Sequence, residues 1–306
     1  MLGLIAHTHK PGAASVVKAV VTELRSHGVP FLMEQATAAL IQEDSALNEE
    51  MLAEKVELLL VMGGDGSILR ALHHAGPHLR PIFGLNIGSL GFLTCLPATA
   101  YREAIDCIVN KTYFLSYRSL LKLEVQDMKV SSVLQSKTTA NYELRTTNSY
   151  REAVALNDIV ISRGERSQLI RLSVTIDEAP LTEYHADGLI IATPTGSTAY
   201  SLAAGGPIMM PESKTLLITP ICPHVFSNRS MVIDDKSTVI IEAPGEQQIF
   251  ISLDGRKPYL MQPHERLVIT TSQKTLPLAM LPNTSFPQIL RQKLKWTGSN
   301  LGPVQM

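Results

Sequence analysis

Hydrophobic positions in the first hundred residues alternate between two spacings. Short apolar runs, which are typical of buried strands, are separated by stretches in which apolar residues recur every three or four positions, as on one face of a helix. This alternation of strand and helix predicts a parallel sheet covered by helices. The predicted strands are 2–6, 30–33, 56–62 and 81–86, and the predicted helices are 16–27, 68–75 and 97–109.

The pattern changes near residue 113, after which short strands dominate. Residues 119–125 alternate apolar and polar, which is the period of a half-buried strand. Residues 127–150 are rich in Ser, Thr and Asn without periodicity, and predict a solvated hairpin or loop. The later strands are spaced as in an all-β domain. They are predicted at 159–162, 169–176, 189–193, 216–221, 239–242, 249–252 and 267–271.

Helical spacing returns at the end of the chain, over residues 286–296. We expect this helix to fold back onto the first domain. The sequence therefore predicts an α/β domain at 1–112, joined by 282–306, and a β-rich domain at 113–281.

Composition and charge reduce the number of functional classes that the protein could belong to. The 306 residues are 45% hydrophobic and 18% charged, with a net charge of −1, which does not favour a nucleic-acid or membrane surface. The three cysteines are far apart, so neither a zinc site nor a disulfide framework is indicated, and a reducing cytoplasm fits best. The first residues do not have the pattern of a signal peptide, and no apolar run reaches membrane-spanning length.

A glycine-rich turn interrupts the strand and helix at residues 56–75. Gly63, Gly64 and Gly66 surround Asp65, so the backbone can approach a ligand closely, and N–H groups at the helix N-terminus favour an anion. A carboxylate there suits contact with a hydroxyl to be phosphorylated or with Mg²⁺ carried by phosphates. The alternative is a structural turn with Asp65 as helix N-cap. No Gly-Lys-Ser/Thr follows, so the turn is not a P-loop.

A second stretch, residues 185–207, places hydroxyl groups at another strand-to-helix turn. An apolar strand enters the sequence Thr-Pro-Thr-Gly-Ser-Thr at 193–198, a short helix suits 199–204, and Gly-Gly-Pro ends it at 205–207. Hydroxyl groups that meet a helix N-terminus are suited to binding ribose or phosphate.

Together these stretches resemble the NAD kinase family. The resemblance spans roughly residues 56–296, and its threonine-rich motif is specific, whereas the glycine turn alone is shared with diacylglycerol and sphingosine kinases. The matching residues, in the family's order, are 63–66, Asn86 with 88–93, 157–158, 187–188, 193–200 with 205–207, 220–224 with Arg229, and 254–255.

The resemblance implies an N-terminal α/β domain and a C-terminal, β-sandwich-like domain. It implies Mg²⁺-dependent transfer of a phosphoryl group from ATP, or polyphosphate, to the 2′-hydroxyl of the adenosine ribose of NAD, giving NADP. It further implies a homodimer or homotetramer. No metal site made by the protein alone is expected.

Residue roles also follow from the resemblance. Asp65 would accept the 2′-hydroxyl proton as general base. Asp158 stands where the family usually has the longer glutamate, and Asp187 would face the nicotinamide ribose or amide. The other positions expected to contact substrates are Gly63, Gly64, Gly66, Arg70, Asn86, Asn157, Gln168, His185, Thr195, Thr198, Ala199, Tyr200, Ser201, Leu202, Ala203 and Arg256.

Two other functions are weighed against this one. A non-catalytic sensor of NAD or NADP would need the same pocket, although it would not need Asp65 and its glycines. A lipid kinase would share only the glycine turn, and the sequence shows no basic or amphipathic membrane face.

Overall fold

The computed structural model describes residues 1–89, 91–128, 152–165, 167–225, 227–282 and 284–296. The predicted hairpin or loop at 127–150 lies outside these residues, except for its first two positions. The chain divides into two compact units, Met1–Arg118 with Leu276–Met306, and Ser119–Thr275. These boundaries fall at 118/119 and 275/276 rather than at the predicted 112/113 and 281/282.

The first unit contains a parallel sheet, as predicted. Its strands are β1 (Leu2–Ala6), β2 (Phe31–Met33), β3 (Leu58–Gly63) and β4 (Ile82–Asn86), in the order β2-β1-β3-β4, and the short β5 (Leu96–Pro97) pairs with β4. The α-helices that precede β6 are α1 (Ala13–Ser26), α2 (Gln35–Ala39), α3 (Glu49–Lys55), α4 (Asp65–His74) and α5 (Tyr101–Asn110).

The burial of this sheet explains why its strands are unbroken apolar runs in the sequence. Every residue of β1, β3 and β4 is buried, as expected when helices cover both faces of a parallel sheet. The amphipathic α1 contributes a stripe of buried residues that includes Val17, Val20 and Leu24 to the same core. The apolar periodicity therefore predicted both the sheet and its principal helix.

The second unit consists mainly of antiparallel strands. They are β6 (Phe114–Asp127), which begins in the first unit, β7 (Glu152–Ala155), β8 (Asp158–Ser162), β9 (Ile170–Ile176), β10 (Ala179–Ala186), β11 (Gly188–Ala192), β12 (Thr215–Ile221), β13 (Met231–Asp234), β14 (Val239–Glu242), β15 (Ile249–Leu253), β16 (Tyr259–Met261) and β17 (Glu265–Met280). One sheet has the order β13-β12-β11-β8-β15-β16, and a second series runs β10-β9-β14-β17. The short helix α6 (Tyr200–Ala203) follows a 3₁₀ turn at Thr195–Thr198.

The chain returns to the first unit through the end of β17. There Leu278 and Ala279 pair in parallel with Ile82 and Phe83 of β4. The last described helix, α7 (Phe286–Leu294), begins with a capping box between Ser285 and Gln288. The α/β and β-rich fold class and the C-terminal helix are therefore confirmed. Among the described residues, no helix combines the length and apolarity needed to cross a membrane.

Candidate active site

A candidate site of the first unit lies where the strand order of its parallel sheet reverses. From β1 the chain passes to β2 on one side and then to β3 on the other, and open α/β sheets bind ligands at such switch points. A cavity of about 470 Å³ opens there, beside the carboxyl ends of β1, β3 and β4. Its described lining residues are His7, His9, Lys10, Gly64, Asp65, Gly66, Ser67, Arg70, Asn86, Ser89, Gly91 and Lys293.

Asp65 is the first residue of α4, and Gly64 is the N-cap. The alternative in which Asp65 caps the helix is therefore wrong. Its carboxylate instead accepts backbone hydrogen bonds from a second glycine turn, which follows β4 and contains Gly88 and Gly91, with Oδ2 2.8 Å from Phe92 N and Oδ1 3.0 Å from Leu93 N. A Cβ on Gly91 would collide with this carboxylate, so the glycine permits the close approach. Each carboxylate oxygen keeps acceptor capacity beyond these bonds.

Asn86 organises the same turn from the end of β4. Its Nδ2 donates to Ser89 O at 2.5 Å and to Thr94 Oγ1 at 3.2 Å, while Thr94 Oγ1 also accepts from Gly91 N at 3.0 Å. Asn86 Oδ1 is buried and has no hydrogen-bond partner within the described chain. A buried acceptor left unpaired costs about 1–3 kcal/mol, so this oxygen is suited to a ligand donor or cation.

Cationic groups dominate the cavity. Lys10 Nζ donates to Gly63 O at 3.1 Å and to Ile87 O at 2.6 Å, so it joins the two glycine turns. Lys293 of α7 also lines the cavity, with its Nζ 5.9 Å from the centre of the Phe92 ring. Among the described lining residues Asp65 supplies the single carboxylate. With the backbone N–H groups at the start of α4, this charge distribution favours a polyanion.

Arg70 lines the cavity, and protein oxygens contact part of its guanidinium group. Its Nε lies 2.9 Å from Glu49 Oε1, and its Nη2 donates to Ala6 O at 3.2 Å. Glu49 is 8% exposed and also lies 2.9 Å from His74 Nδ1. The guanidinium keeps further N–H donors, although its Nε and Nη2 face protein oxygens.

In the second unit the threonine-rich turn is fixed against the segment before β8. Thr193 Oγ1 donates to Leu156 O at 2.5 Å and accepts from Gly196 N at 3.0 Å. A Cβ on Gly196 would collide with the backbone of Asn157, so only glycine allows this packing. The structure thus packs the turn at Gly196 directly against the backbone of Asn157, and Thr193 N donates to Asn157 O at 2.9 Å.

Two aspartates lie next to this segment. Asp254, with φ 50°, accepts backbone hydrogen bonds from Leu156 N at 2.8 Å, Asn157 N at 2.7 Å and Asp158 N at 3.2 Å. Asp158 is 4% exposed. Burial, and secondarily the negative charge of Asp254, raise the pKa of the Asp158 carboxyl to about 7, although a hydrogen bond from the Tyr200 backbone opposes the shift. A carboxyl group in this state can donate as well as accept near neutral pH.

The remaining side chains of the turn differ in how free they are to contact a ligand. Thr195 Oγ1 is buried and has no hydrogen-bond partner within the described chain, whereas Thr198 Oγ1 donates to Thr195 O at 3.1 Å. Ser201 is buried with its hydroxyl 2.9 Å from Thr219 Oγ1. Tyr200 is 47% exposed, which leaves its ring free to stack on a planar ligand. Ala199, Leu202 and Ala203 complete the same turn.

Four other predicted residues lie outside this turn. His185 Nε2 is 2.7 Å from Glu183 Oε1, and Asp187 Oδ1 accepts from Arg163 Nε at 2.7 Å. Gln168 is exposed and lines a separate cavity of about 210 Å³ that Arg163 also lines. Arg256 is exposed just after Asp254. Asp187 is thus held by Arg163, while His185 has a different partner.

Sequence reasoning missed several groups in the first unit. Lys10 and Lys293 line the cavity, and Glu49 holds Arg70. Lys10 had a signal, because it follows β1 and the ends of parallel strands meet at one edge. Lys293 and Glu49 had none, because their contacts join parts of the chain far apart in sequence.

Comparisons with known proteins match both units of the chain. The ATP-NAD kinase N-terminal domain model matches residues 2–113, and the C-terminal domain model matches residues 156–281. The chain belongs to the NAD kinase family. It is 34% identical over 296 residues to the NAD kinase of Symbiobacterium thermophilum, covering 96% of this chain and 98% of that one. The NAD kinase of Moorella thermoacetica is 34% identical over 302 residues, covering 97% and 90%.

Solved structures support the same fold. A crystal structure of yeast NADH kinase complexed with NADH has a TM-score of 0.80 at 23% identity, covering 100% of this chain and 89% of that chain. An NAD kinase from Archaeoglobus fulgidus in complex with ATP has a TM-score of 0.71 at 22% identity, covering 97% and 100%. The predicted NAD kinase activity is therefore confirmed at the level of the family, whose members transfer a phosphoryl group to NAD. The match over both domains favours this family over lipid kinases.

Proposed function

We propose that the protein transfers the terminal phosphoryl group of ATP to the 2′-hydroxyl of the adenosine ribose of NAD, giving NADP and ADP. The observation that carries the proposal is the Asp65 carboxylate, held at a helix N-terminus in a cavity whose other described lining residues are cationic, polar or glycine. Relatives described as bound to ATP and to NADH support these substrate classes. Polyphosphate is the alternative donor.

Asp65 is the proposed general base. As the ribose oxygen forms its bond to phosphorus, its proton passes to the carboxylate, and the bond between phosphorus and ADP breaks. The N–H groups of Phe92 and Leu93 fix the orientation of the carboxylate before substrate arrives. The amides at the start of α4 and the cations of the cavity stabilise the charge on the transferred group.

A divalent cation fits this donor set. Mg²⁺ prefers oxygen ligands and is usually held by one or two protein oxygens together with substrate phosphates. Asp65 offers carboxylate oxygens, and Asn86 offers a buried amide oxygen with no partner in the described chain. When bound with the phosphates, the ion would neutralise their charge.

The second unit is proposed to bind the dinucleotide. Asn157 and the Asp158 carboxyl lie in the segment against which the threonine-rich turn packs, and with the Thr195 hydroxyl they can hydrogen-bond adenine and ribose. The small side chain of Ala199 leaves room for the base, and the exposed Tyr200 ring can stack on it. A role of Asp187 toward the nicotinamide ribose would require its ion pair with Arg163 to open or to be shared.

The activity is tested with the purified protein, Mg²⁺ and NAD. ATP and polyphosphate are supplied in turn as donors, NADH replaces NAD in a second series, and NADP or NADPH is quantified. ATP-dependent NADP formation is the expected result, and diacylglycerol should not be phosphorylated. Tight NADP binding without turnover on any donor would instead establish the sensor function.

A modest effect is expected from Glu49→Gln. The substitution keeps the shape but removes the charge that lies 2.9 Å from Arg70 Nε, so Arg70 becomes less well oriented. We expect KM for ATP to rise about three- to tenfold, with KM for NAD unchanged, measured by steady-state kinetics. His74→Gln, which alters the other contact of Glu49, is the control and should leave KM for ATP within about twofold. Equal effects on both KM values would contradict a role specific to the donor.

Assembly and location are further proposals. The family resemblance favours a homodimer or homotetramer, which light scattering coupled to gel filtration would measure. The separated cysteines fit a reducing cytoplasm.

A further inference from the structure

Lys10 occupies a constrained position between β1 and α1. Its backbone N–H donates to His7 O at 3.2 Å, and its carbonyl accepts from Ala13 N at 3.1 Å, so the residue sits within a tight turn. The turn leaves the carboxyl end of β1, on the side of the sheet where the order of strands reverses. The Lys10 side chain therefore reaches the cavity from the strand adjacent to β3, which carries the glycine turn.

The ammonium group is fixed rather than extended into solvent. It donates to Gly63 O and Ile87 O, at 3.1 and 2.6 Å, which lie at the ends of β3 and β4. An ammonium has three donors, so one remains after these bonds. Nζ lies 3.1 Å from the point that a Cβ on Gly64 would occupy and 4.0 Å from the equivalent point at Gly88. The remaining donor is thus placed between the two glycine turns.

The position of the Lys10 ammonium indicates the kind of ligand that it can bind. A neutral donor could also satisfy the carbonyl oxygens of Gly63 and Ile87, so these two bonds do not by themselves require a positive charge. A compact ammonium held by two carbonyls is suited to a polyanion, because its orientation is set before the ligand binds. The neighbouring N–H groups of α4 favour the same kind of ligand.

We propose that Lys10 is a catalytic residue whose ammonium binds an anionic oxygen of the phosphoryl group being transferred, while its two carbonyl bonds hold it in place. The proposal rests on the proposed kinase function, which it extends by naming the group that contacts the donor phosphates. Asp65 takes the proton from the acceptor, and Lys10 stabilises negative charge on the donor. No additional reactant is needed.

Lys10→Met tests the proposal, because methionine keeps most of the stem and removes the charge. We expect kcat to fall about 10²- to 10³-fold, in the range found when one charge-stabilising donor is removed, with KM for NAD within about threefold. Lys18→Met is the matched control: Lys18 is exposed on α1, and its replacement removes the same charge away from the cavity. The control should retain wild-type kcat.

Binding of inorganic tripolyphosphate, measured by calorimetry, gives a second readout that does not depend on turnover. Lys10→Met should weaken it at least tenfold, and Lys18→Met should not. If Lys10→Met does not fold, Lys10→Gln replaces it, because its amide can still donate to a carbonyl but carries no charge.

The outcomes separate the two proposals. Wild-type protein that binds tripolyphosphate through Lys10 but makes no NADP would overturn the kinase function and leave the phosphate site. Lys10 variants that melt earlier yet bind tripolyphosphate like Lys18→Met would show a purely structural clamp and overturn the proposal for Lys10. Unchanged kcat in folded Lys10→Met would do the same.

Discussion

Asp65→Asn is expected to lower kcat at least about 100-fold, because an amide cannot accept the proton that leaves the ribose hydroxyl. NAD should still bind with an affinity within a fewfold of wild type, since the proposed dinucleotide contacts lie in the second unit. Steady-state kinetics and calorimetric binding of NAD measure the two effects separately.

Asp65→Asn also alters the hydrogen bonds to the second glycine turn, so the experiment needs a control variant. The Asp65 carboxylate faces two N–H groups, at Phe92 and Leu93, and an asparagine would offer them one oxygen and one NH₂ group. We therefore expect a stability loss of about 1–3 kcal/mol as well. Thr94→Val disturbs the same turn by removing the acceptor for Gly91 N while Asp65 stays intact.

Comparing the kcat values of Asp65→Asn and Thr94→Val separates the loss of the proton acceptor from the loss of stability. Thr94→Val should lose similar stability but less than about tenfold in kcat. If both variants lose kcat equally, Asp65 acts only by holding the second glycine turn, and its assignment as general base is wrong.

Asp158 gives the second large expected effect, on stability rather than rate. The pKa of its carboxyl is raised from 3.8 to about 7 in the folded protein. Between these values the folded state holds a proton that the unfolded state has released, so stability falls as pH rises. The resulting decrease in the free energy of unfolding is up to about 4 kcal/mol from pH 4 to pH 7, and it levels off above that range.

Denaturant unfolding from pH 4 to pH 8 measures this dependence in wild type and in Asp158→Asn. The asparagine imitates the protonated carboxyl, so the two proteins should be similar at pH 4, and the variant should be the more stable at pH 8. Asp106→Asn, which changes an exposed carboxylate, should follow the wild-type curve. A constant difference between wild type and Asp158→Asn across this range would show that the carboxyl is ionised throughout.

The sequence predicted most strands because their burial is regular. Val239–Glu242 matches its predicted bounds, and β1 does too, since each is a short apolar segment between turns. The short α2 and α3 were missed, because each buries only two or three residues and has little periodicity. Strand β10 was missed because its first five residues are exposed.

The candidate site was predictable only where chemistry coincides with a local motif. The two glycine turns and the threonine-rich turn can be predicted from residue type and spacing. The contact of Asp65 with Phe92 and Leu93 spans 27 and 28 residues, and that of Asp254 with Asn157 spans 97. Such contacts depend on which strand ends meet, which only the folded chain defines.

The route of the chain between its two units has a consequence for biosynthesis. Residues 119–275 form one continuous unit, whereas the pairing of Leu278 and Ala279 with β4 completes the other from two distant segments. At ribosomal rates of about 5–20 residues per second, roughly 10–40 s separate the synthesis of β4 from that of its partner at the end of β17. During that interval the edge of β4 at Ile82 and Phe83 lacks its partner strand and is open to mispairing.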